Sequence, residues 1–391
     1  MGKWGMRLCS CAGAVVCTAA IPAAASGAVL TRDGTVLKLT GAGSEEDDFS
    51  IRREDNNDIV IFNLGSGSFT ADAGSGCSTP QFGVSTCTGA GATVTRIVAD
   101  TGEGDDSIAF SELGFTGEAN LGPGTDVGTI VDQSARPFRV ALNGGAGGDS
   151  LIGGSLNDTL AGDAGDDFLR AGGGPDDIHG GADVDKANFG EASRLGGVTV
   201  SLDNQANDGN QADSENDNVH SDVEFVEGTA SADELVGNGG NNTLSGFGGA
   251  DELDGRGGFD ILLGGEDGDT LNTRDGNAEL ADCGGGIDTA LLDPRDLHSS
   301  CETAEVDDDA PQTEITKKPK RRTGNPQATL KFKSSEPLSD FECKLDGGQF
   351  KSCNSPFKKN VSPGKHTFEV RAVDPSGNKD PSPAKARWKV T

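Results

Sequence analysis

The chain is poor in aromatic residues. Only 5% of its 391 residues are aromatic, and tyrosine is absent. A chain of this length is long enough for two or three domains, but this composition lacks the large side chains that fill an ordinary globular core. A fold that needs only a thin column of aliphatic side chains is therefore favoured, and a β-solenoid is such a fold.

Histidine is also scarce, and common catalytic motifs are missing. The four histidines include no HExxH pair, and no GxSxG nucleophile elbow occurs. Closely spaced carboxylates could serve a polysaccharide hydrolase or lyase, but such an enzyme needs an aromatic-lined groove for which this chain has few residues. We predict that the protein is not an enzyme, with a polysaccharide hydrolase or lyase as the least favoured alternative.

Long apolar runs are missing beyond the N-terminus. Lys3 and Arg7 precede an apolar run from about Leu8 to Ile21, and small residues follow the run. This pattern predicts a secretory signal peptide over residues 1–25, and Cys17 as a lipidation site is the alternative. No other run approaches the roughly 20 residues of a membrane span. We predict no membrane span and a secreted protein, extracellular or at the cell surface.

No CxxC motif occurs, so the cysteines do not indicate a metal–thiolate site. Six of the nine cysteines would remain after signal cleavage, an even number in an oxidising compartment. Proximity in sequence predicts the disulfides Cys77–Cys87, Cys283–Cys301 and Cys343–Cys353.

Positive charge is in short supply over most of the chain. The formal net charge is -31, but from Pro311 onward 17 basic residues face 8 acidic ones, leaving 15 basic against 55 acidic residues before it. Such an acidic surface repels phosphate backbones and attracts cations. We therefore predict no nucleic-acid partner.

Glycine and aspartate are abundant, and they repeat every nine residues. From Gly144 the chain has an acidic position at Asp149, Asp158, Asp167, Asp176 and Asp185, with Leu151, Leu160, Leu169, Ile178 and Ala187 two places later. From Gly228 the acidic position is Asp233, Asn242, Asp251, Asp260, Asp269 and Ala278, and the aliphatic position runs from Leu235 to Leu280. A decayed unit with Asp288 follows and is predicted to cap the array. Because one short unit cannot bury its apolar face alone, the units must stack as a solenoid.

These units resemble the RTX, or haemolysin-type, calcium-binding nonapeptide repeat. The resemblance implies an all-β fold with a right-handed parallel β-roll or β-helix over residues 143–302. It also implies that two units form one turn, so that Asp149 faces the loop of Asp167, and that calcium sits between such loops on carboxylates and glycine carbonyls. The implied calcium-site residues are Gly145, Gly147, Asp149, Asp158, Gly165, Asp167, Gly174, Asp176, Asp185, Asp233, Asn242, Gly249, Asp251, Gly258, Asp260 and Asp269.

Two regions depart from the nine-residue rhythm. Residues 26–142 are predicted to be β-rich, either as degenerate solenoid turns or as a separate capping domain. Residues 189–227 form an irregular insertion whose loop, Asp203 to Asp217, has a poor EF-hand-like spacing.

The C-terminal end differs in charge and pattern. Residues 303–325 read as a linker because they combine Asp307-Asp308-Asp309, prolines and a basic run. Residues 326–391 alternate like sandwich strands and resemble the Ig-like modules of bacterial secreted proteins.

The predicted function is that of a secreted calcium-binding repeat protein with a structural or adhesive role, in which calcium folds and stiffens the β-roll. The alternative is a binding module whose basic tail holds an acidic cell-wall or matrix polysaccharide.

Overall fold

A computed structural model describes residues 28–41, 46–64, 69–71, 76–78, 84–88, 93–131, 138–190, 196–210, 215–336 and 339–391. All regular secondary structure in these ranges is β-strand, which confirms the all-β prediction. Over the same ranges no helix has the length and apolarity needed to cross a membrane. The predicted signal peptide, residues 1–25, lies outside the described residues.

The N-terminal region begins the same sheets that the repeats continue. Its strands are β1 (Ala28–Asp33), β2 (Val36–Thr40), β3 (Asp48–Arg53), β4 (Ile59–Asn63), β5 (Phe69–Ala71), β6 (Val84–Cys87), β7 (Arg96–Asp100), β8 (Ser107–Ser111), β9 (Thr116–Pro123) and β10 (Val127–Val131). Strands β2, β7 and β9 pair in parallel, as do β3, β8 and β10. Antiparallel pairs β1–β2 and β3–β4–β6 close the end of the stack. The region therefore contains both solenoid-like turns and a cap.

The repeats form short parallel strands stacked turn on turn. Their strands, with those of the insertion and of the last turns, are β11 (Val140–Ala146), β12 (Ser150–Ile152), β13 (Thr159–Ala164), β14 (Phe168–Arg170), β15 (Asp177–Ala182), β16 (Lys186–Asn188), β17 (Thr199–Ser201), β18 (Asn218–Val219), β19 (Phe225–Glu227), β20 (Glu234–Val236), β21 (Thr243–Gly248), β22 (Glu252–Asp254), β23 (Ile261–Glu266), β24 (Thr270–Asn272), β25 (Leu280–Gly285), β26 (Thr289–Leu292), β27 (Leu297–Ser299) and β28 (Thr303–Val306). Leu151 pairs with Leu169, and Leu160 with Ile178. Strands thus recur every eighteen residues, two units to a turn.

Three sheets result, and one of them is continuous. Sheet 1 runs through β3, β8, β10, β12, β14, β16, β19, β21, β23, β25 and β27. Sheet 2 runs through β2, β7, β9, β11, β13, β15 and β18, and sheet 3 through β17, β20, β22, β24, β26 and β28. The aliphatic column, from Leu151 to Leu271, is fully buried between the sheets in one core. Because each turn contributes only small or aliphatic side chains here, the repeats need no aromatic core.

The insertion interrupts only one side of the stack. On sheet 1, β16 pairs directly with β19, and β19 with β21. On the other side, sheet 2 ends at β18 and sheet 3 starts at β17, with an irregular loop between them. The two arrays that the sequence separates are therefore joined through sheet 1.

The last repeat units contain a shift that corrects the predicted column. Ile261 pairs with Leu280, and Leu262 with Ala281, so this turn has nineteen residues. Ala281 is buried, whereas Leu280 is 38% exposed. The prediction that Leu280 points inward and that Ala278 holds the acidic position is wrong, because the extra residue moves both positions by one and puts Glu279 in place of the aspartate.

The stack also extends beyond the predicted cap. Strands β27 and β28 follow the unit of Asp288 and pair with β25 and β26. Residues 303–325, predicted as a linker, contain β28 and two strands of the tail. The residues of β28 are exposed, so no burial pattern marks them in the sequence.

The C-terminal region packs antiparallel strands around its own core. Its strands are β29 (Thr313–Lys317), β30 (Arg322–Thr323), β31 (Gln327–Ser334), β32 (Asp340–Leu345), β33 (Lys351–Ser352), β34 (Phe357–Asn360), β35 (Gly364–Val373) and β36 (Ala384–Val390). One sheet has the order β30-β36-β35-β32-β33 and the other β29-β31-β34. Phe332, Phe368 and Trp388 are buried in a cluster distinct from the core of the repeats.

The predicted disulfides are present. Cys77–Cys87 lies in the N-terminal region, Cys283–Cys301 joins the last solenoid turns and Cys343–Cys353 lies in the tail.

Candidate metal centre

The acidic residue of each unit lies immediately before a strand and is buried. Asp149, Asp167 and Asp185 precede the strands of sheet 1, and each is at most 3% exposed. The Asp149 N–H donates to Oδ1 of Asp167 at 2.7 Å, and the Asp167 N–H donates to Oδ1 of Asp185 at 3.0 Å. Each carboxylate therefore accepts a hydrogen bond from the turn before it, and the carboxylates form a ladder along the edge of the sheet.

The other predicted aspartates form matching ladders. On the side of sheet 2, the Asp158 N–H donates to Asp176 at 2.7 Å. Before sheet 3, the Asp233 N–H donates to Oδ1 of Asp251, and the Asp251 N–H to Oδ1 of Asp269. Beside sheet 1, the backbone N–H of Asn242 donates to Oδ1 of Asp260. The structure thus brings the predicted residues together in the pairs n and n+2.

In most of these carboxylates, one oxygen atom accepts a hydrogen bond and the other has no hydrogen-bond partner among the described residues. Among the described residues, a buried Oδ2 with no hydrogen-bond partner recurs at Asp106, Asp126, Asp149, Asp167, Asp176, Asp185, Asp251, Asp260, Asp269 and Asp288. Asp158 and Asp233 differ, because their Oδ2 atoms accept N–H bonds from Gly154 and Thr229. A buried carboxylate oxygen without a partner costs free energy. Its repetition from turn to turn is the arrangement expected of carboxylates that bind cations.

Burial also raises the pKa of several ladder aspartates. Burial, followed by the charge of neighbouring aspartates, raises the pKa of Asp149, Asp185 and Asp251 to about 7. Burial raises the pKa of Asp260 to about 7 and that of Asp176 to about 9. A divalent cation reverses this effect, because it favours the charged form of a carboxylate.

The six predicted glycines lie where one turn packs on the next. All six have a positive φ, a conformation that glycine adopts at little cost. They are Gly145, Gly147, Gly165, Gly174, Gly249 and Gly258. A Cβ atom at Gly147 would overlap the carbonyl oxygen of Gly124 in the preceding turn. The turns therefore stack backbone to backbone, which places carbonyl oxygens next to the acidic column.

A further glycine role was missed from the sequence. The first glycine of a unit leaves room for the carboxylate of its own unit: a Cβ atom at Gly246 would overlap Oδ2 of Asp251. The same overlap would occur at Gly144 with Asp149 and at Gly162 with Asp167. The recurrence of glycine at the first position of nine of the eleven units was the available signal.

The ladders extend further than the regular units. Before the first array, the Asp47 N–H donates to Asp106, Asp106 to Asp126 and Asp126 to Asp149. After the arrays, Asp269 donates to Asp288, and Asp288 to the carboxylate of Glu302. The degenerate units around Asp106 and Asp126 gave a sequence signal, whereas an isolated glutamate at Glu302 gave none.

The register shift places Glu279 in an acidic pocket. Glu279 is 3% exposed, and both of its carboxylate oxygens lack a hydrogen-bond partner among the described residues. Burial, together with Asp296, Asp275 and Asp293, raises the pKa of Glu279 to about 9. Oxygens of Asp275, Glu279 and Asp293 lie within 4.8 Å of one another.

The EF-hand-like loop of the insertion has a structural role. Asp208 is fully buried, and its two oxygens accept N–H bonds from Ser201 at 2.7 Å and Val219 at 2.8 Å. It thereby links β17, where sheet 3 begins, to β18, where sheet 2 ends. These contacts occupy the carboxylate with backbone donors.

The ligand chemistry of the ladders matches a hard cation. Carboxylate oxygens and backbone carbonyls are the donors that calcium accepts, in sets of about six to eight and with tolerant geometry. No sulfur or imidazole lies in the ladders. The donor set therefore fits calcium and not a soft metal.

The comparison with known families agrees with this chemistry. Residues 152–187 and 227–262 match the family model of the RTX calcium-binding nonapeptide repeat, in four copies. These segments carry RTX repeats. Asp149 and Asp269 lie outside the matched segments but continue the ladders of the RTX repeats. No curated protein matches the chain.

Proposed function

We propose that this is a secreted structural or adhesive protein whose RTX repeats form a calcium-dependent β-roll, right-handed as the family resemblance implies. The observation that carries the proposal is the partnerless Oδ2 that recurs beside stacked carbonyls in successive turns. Calcium would use this oxygen and offset the repulsion between stacked carboxylates. Without calcium, the thin aliphatic column must oppose both that repulsion and the conformational entropy of the chain.

Secretion and a non-catalytic role complete the proposal. The signal-like N-terminus and three disulfides favour an oxidising, extracellular setting. The ladders hold their carboxylates in hydrogen bonds between turns, an arrangement suited to stacking. In this function the chain catalyses no reaction, and its C-terminal strands form an Ig-like module.

The test is far-UV circular dichroism of the purified full chain, titrated first with calcium and separately with magnesium. In chelator we expect a large disordered component and only a residual β-signal, and the spectrum should become β-rich at roughly 0.1–1 mM calcium, the range of extracellular calcium modules. Magnesium should not substitute, because it demands strict octahedral geometry. A full β spectrum in chelator, unchanged by calcium, would overturn the proposal.

Tryptophan fluorescence provides an internal control. Trp388 is 4% exposed in the core of the tail, and the other tryptophan, Trp4, belongs to the predicted signal peptide. The emission of Trp388 should indicate a folded tail with and without calcium. Loss of this signal in chelator would mean that the whole chain, and not the repeats alone, depends on the ion.

A second candidate function rests on the basic face of the tail. Arg322 and Lys365 both pair with Lys389 across adjacent strands, and Arg387 lies two residues before it on the outward face of β36. These side chains line a shallow groove of about 290 Å³ beside Trp388. A row of cations at strand spacing suits a linear acidic polysaccharide.

Paired charge reversals test this candidate. The variant R387E/K389E should lose binding to immobilised polyglucuronate, whereas K358E/K359E, on the exposed part of β34, should retain it. Both variants change the net charge equally, so a difference between them reports position. Equal loss of binding in both variants would show that the interaction depends on net charge alone and not on this face of the tail.

A further inference from the structure

Two histidines and an aspartate meet on the outer face of sheet 2, away from the carboxylate ladders. Strands β15 and β18 pair in parallel, with Asp177 opposite Asn218 and Ile178 opposite Val219. Because alternate side chains share a face, Asp177 and His179 point outward on β15. Asn218 of β18 and His220, which directly follows β18, point outward beside them, and the His220 N–H donates to the Ile178 carbonyl oxygen. The two imidazole rings stack with their centroids 3.6 Å apart.

The ligand atoms of this group lie close together. Nε2 of His220 lies 2.8 Å from Oδ1 of Asp177, and Nε2 of His179 lies 3.3 Å from Oδ2 of the same carboxylate. The ligand atoms of all three residues lie within 4.8 Å of one another. The side chains are between 21% and 46% exposed, so the group is open to solvent on one side.

With the amide nitrogen of Asn218 turned towards His220, hydrogen bonds alone do not satisfy this arrangement. Nδ2 of Asn218 lies 2.7 Å from Nε2 of His220 and 3.0 Å from Oδ1 of Asp177. If His220 Nε2 carries a proton, it donates to Asp177 but opposes the N–H group of Asn218. If it carries a lone pair, it accepts from Asn218 but opposes the carboxylate. In this amide orientation, either proton arrangement leaves one close contact repulsive.

A metal ion removes the conflict, because it takes lone pairs from imidazole and carboxylate together. Ligand atoms about 2.0–2.1 Å from one zinc ion are separated by roughly 2.8–3.4 Å when the angles at the metal are about 90–110°. The separations of 2.8 Å to Oδ1 of Asp177 and 3.3 Å to its Oδ2 fall in this range. One ion would bind both carboxylate oxygens, and the partly exposed, stacked rings would turn to direct their Nε2 lone pairs at it. Two imidazoles and one carboxylate suit zinc or a neighbouring transition metal, whereas calcium prefers oxygen ligands.

We propose that Asp177, His179 and His220 bind one divalent transition metal ion of the zinc class, at a site separate from the calcium-binding turns. Three protein ligands leave a position open for water on the exposed side. The ion would cross-link β15 to β18, the last strand of sheet 2, which follows the irregular loop in the chain. It would thereby fasten the insertion to the first array by a contact that calcium does not supply.

The test is isothermal titration of the full chain with Zn²⁺ in the presence of millimolar calcium, which fills the oxygen sites. We expect one equivalent of zinc to bind, and at least a 10-fold loss of affinity in H179Q and in H220Q. The matched control is H298Q, because His298 is exposed on β27 in the same solenoid. Binding of Co²⁺, followed by visible absorption, provides a second readout of nitrogen ligation.

The outcomes are decisive in both directions. Loss of binding in both histidine variants, with circular dichroism in calcium unchanged and H298Q unaffected, would support the site. Absence of a zinc isotherm in the wild-type chain would overturn it, as would wild-type affinity in H179Q or H220Q. A D177N variant with undiminished zinc affinity would also contradict the proposed ligand set.

Discussion

At the residue scale, one ladder aspartate is expected to have opposite effects on stability with and without calcium. Asp251 accepts the N–H of Asp233 on Oδ1, while Oδ2 is buried without a partner among the described residues. Without metal, this charge is costly. In the proposed calcium site, it would be a ligand. The native Asn242 occupies the same repeat position, which indicates that an amide fits there.

We predict that D251N raises the calcium concentration at the folding midpoint by about 10-fold, because one charged ligand is lost. In chelator, the same substitution should raise the melting temperature, because it removes a buried charge. The control is E252Q, which removes a charge from the next, exposed residue. Calcium titrations and thermal melts followed by circular dichroism measure both effects, and a D251N variant that behaves like E252Q would contradict the ligand role.

Two glycines of one unit should respond differently to alanine. A Cβ atom at Gly246 would overlap Oδ2 of Asp251, whereas one at Gly248 has no heavy atom within 4 Å. We predict that G246A weakens calcium binding by displacing the carboxylate. G248A should leave it unchanged or slightly stabilise the fold, since alanine restricts the unfolded chain. Calcium titration of both variants is the measurement, and equal affinities would show that the close approach does not matter.

At the scale of elements, the nine-residue pattern predicted the strand-preceding aspartates, and the RTX resemblance implied their pairing two units apart. It failed at the nineteen-residue turn, because Leu280 and Ala281 are both apolar and a fixed period selects the wrong one. It also divided the repeats into two arrays, since only contacts between turns reveal that β16 pairs with β19. The sequence motif of β15 likewise says nothing about His220, which a long loop brings opposite His179.

The disulfide of the last turns is predicted to prevent the stack from fraying. Cys283 lies in β25, and Cys301 precedes β28, whose residues are exposed. The sequence separation of the two cysteines is 18 residues. Closing this loop lowers the conformational entropy of the unfolded chain, which raises the free energy of unfolding by about 3 kcal/mol. In calcium, the variant C283A/C301A should lose hydrogen-exchange protection in β26 and β28 while β12 and β14 keep theirs. The control is C77A/C87A in the N-terminal region. Identical hydrogen-exchange maps for the two variants would show that the Cys283–Cys301 disulfide does not stabilise the last turns locally.

At the scale of the whole molecule, the proposed calcium sites would make protons and calcium compete for the same ladder oxygens. The pKa of Asp149, Asp185, Asp251 and Asp260 is raised to about 7 in the metal-free fold, well above its value in the unfolded chain. A raised folded-state pKa means that the folded chain binds more protons than the unfolded one between these two values. The resulting stability is fully present below about pH 4 and is lost as pH rises through about 7.

We therefore predict that lowering the pH from 8 to 5 in chelator increases the β-signal and the melting temperature of the repeats. In calcium the direction reverses for binding, because the ion must displace those protons, so the calcium midpoint should fall as pH rises over the same range. Circular dichroism melts across pH, with and without calcium, measure both trends, and Trp388 emission monitors the tail separately. If stability in chelator rose with pH instead, the buried carboxylates would not be the groups that oppose folding, and the partnerless oxygens could not account for the need for a cation.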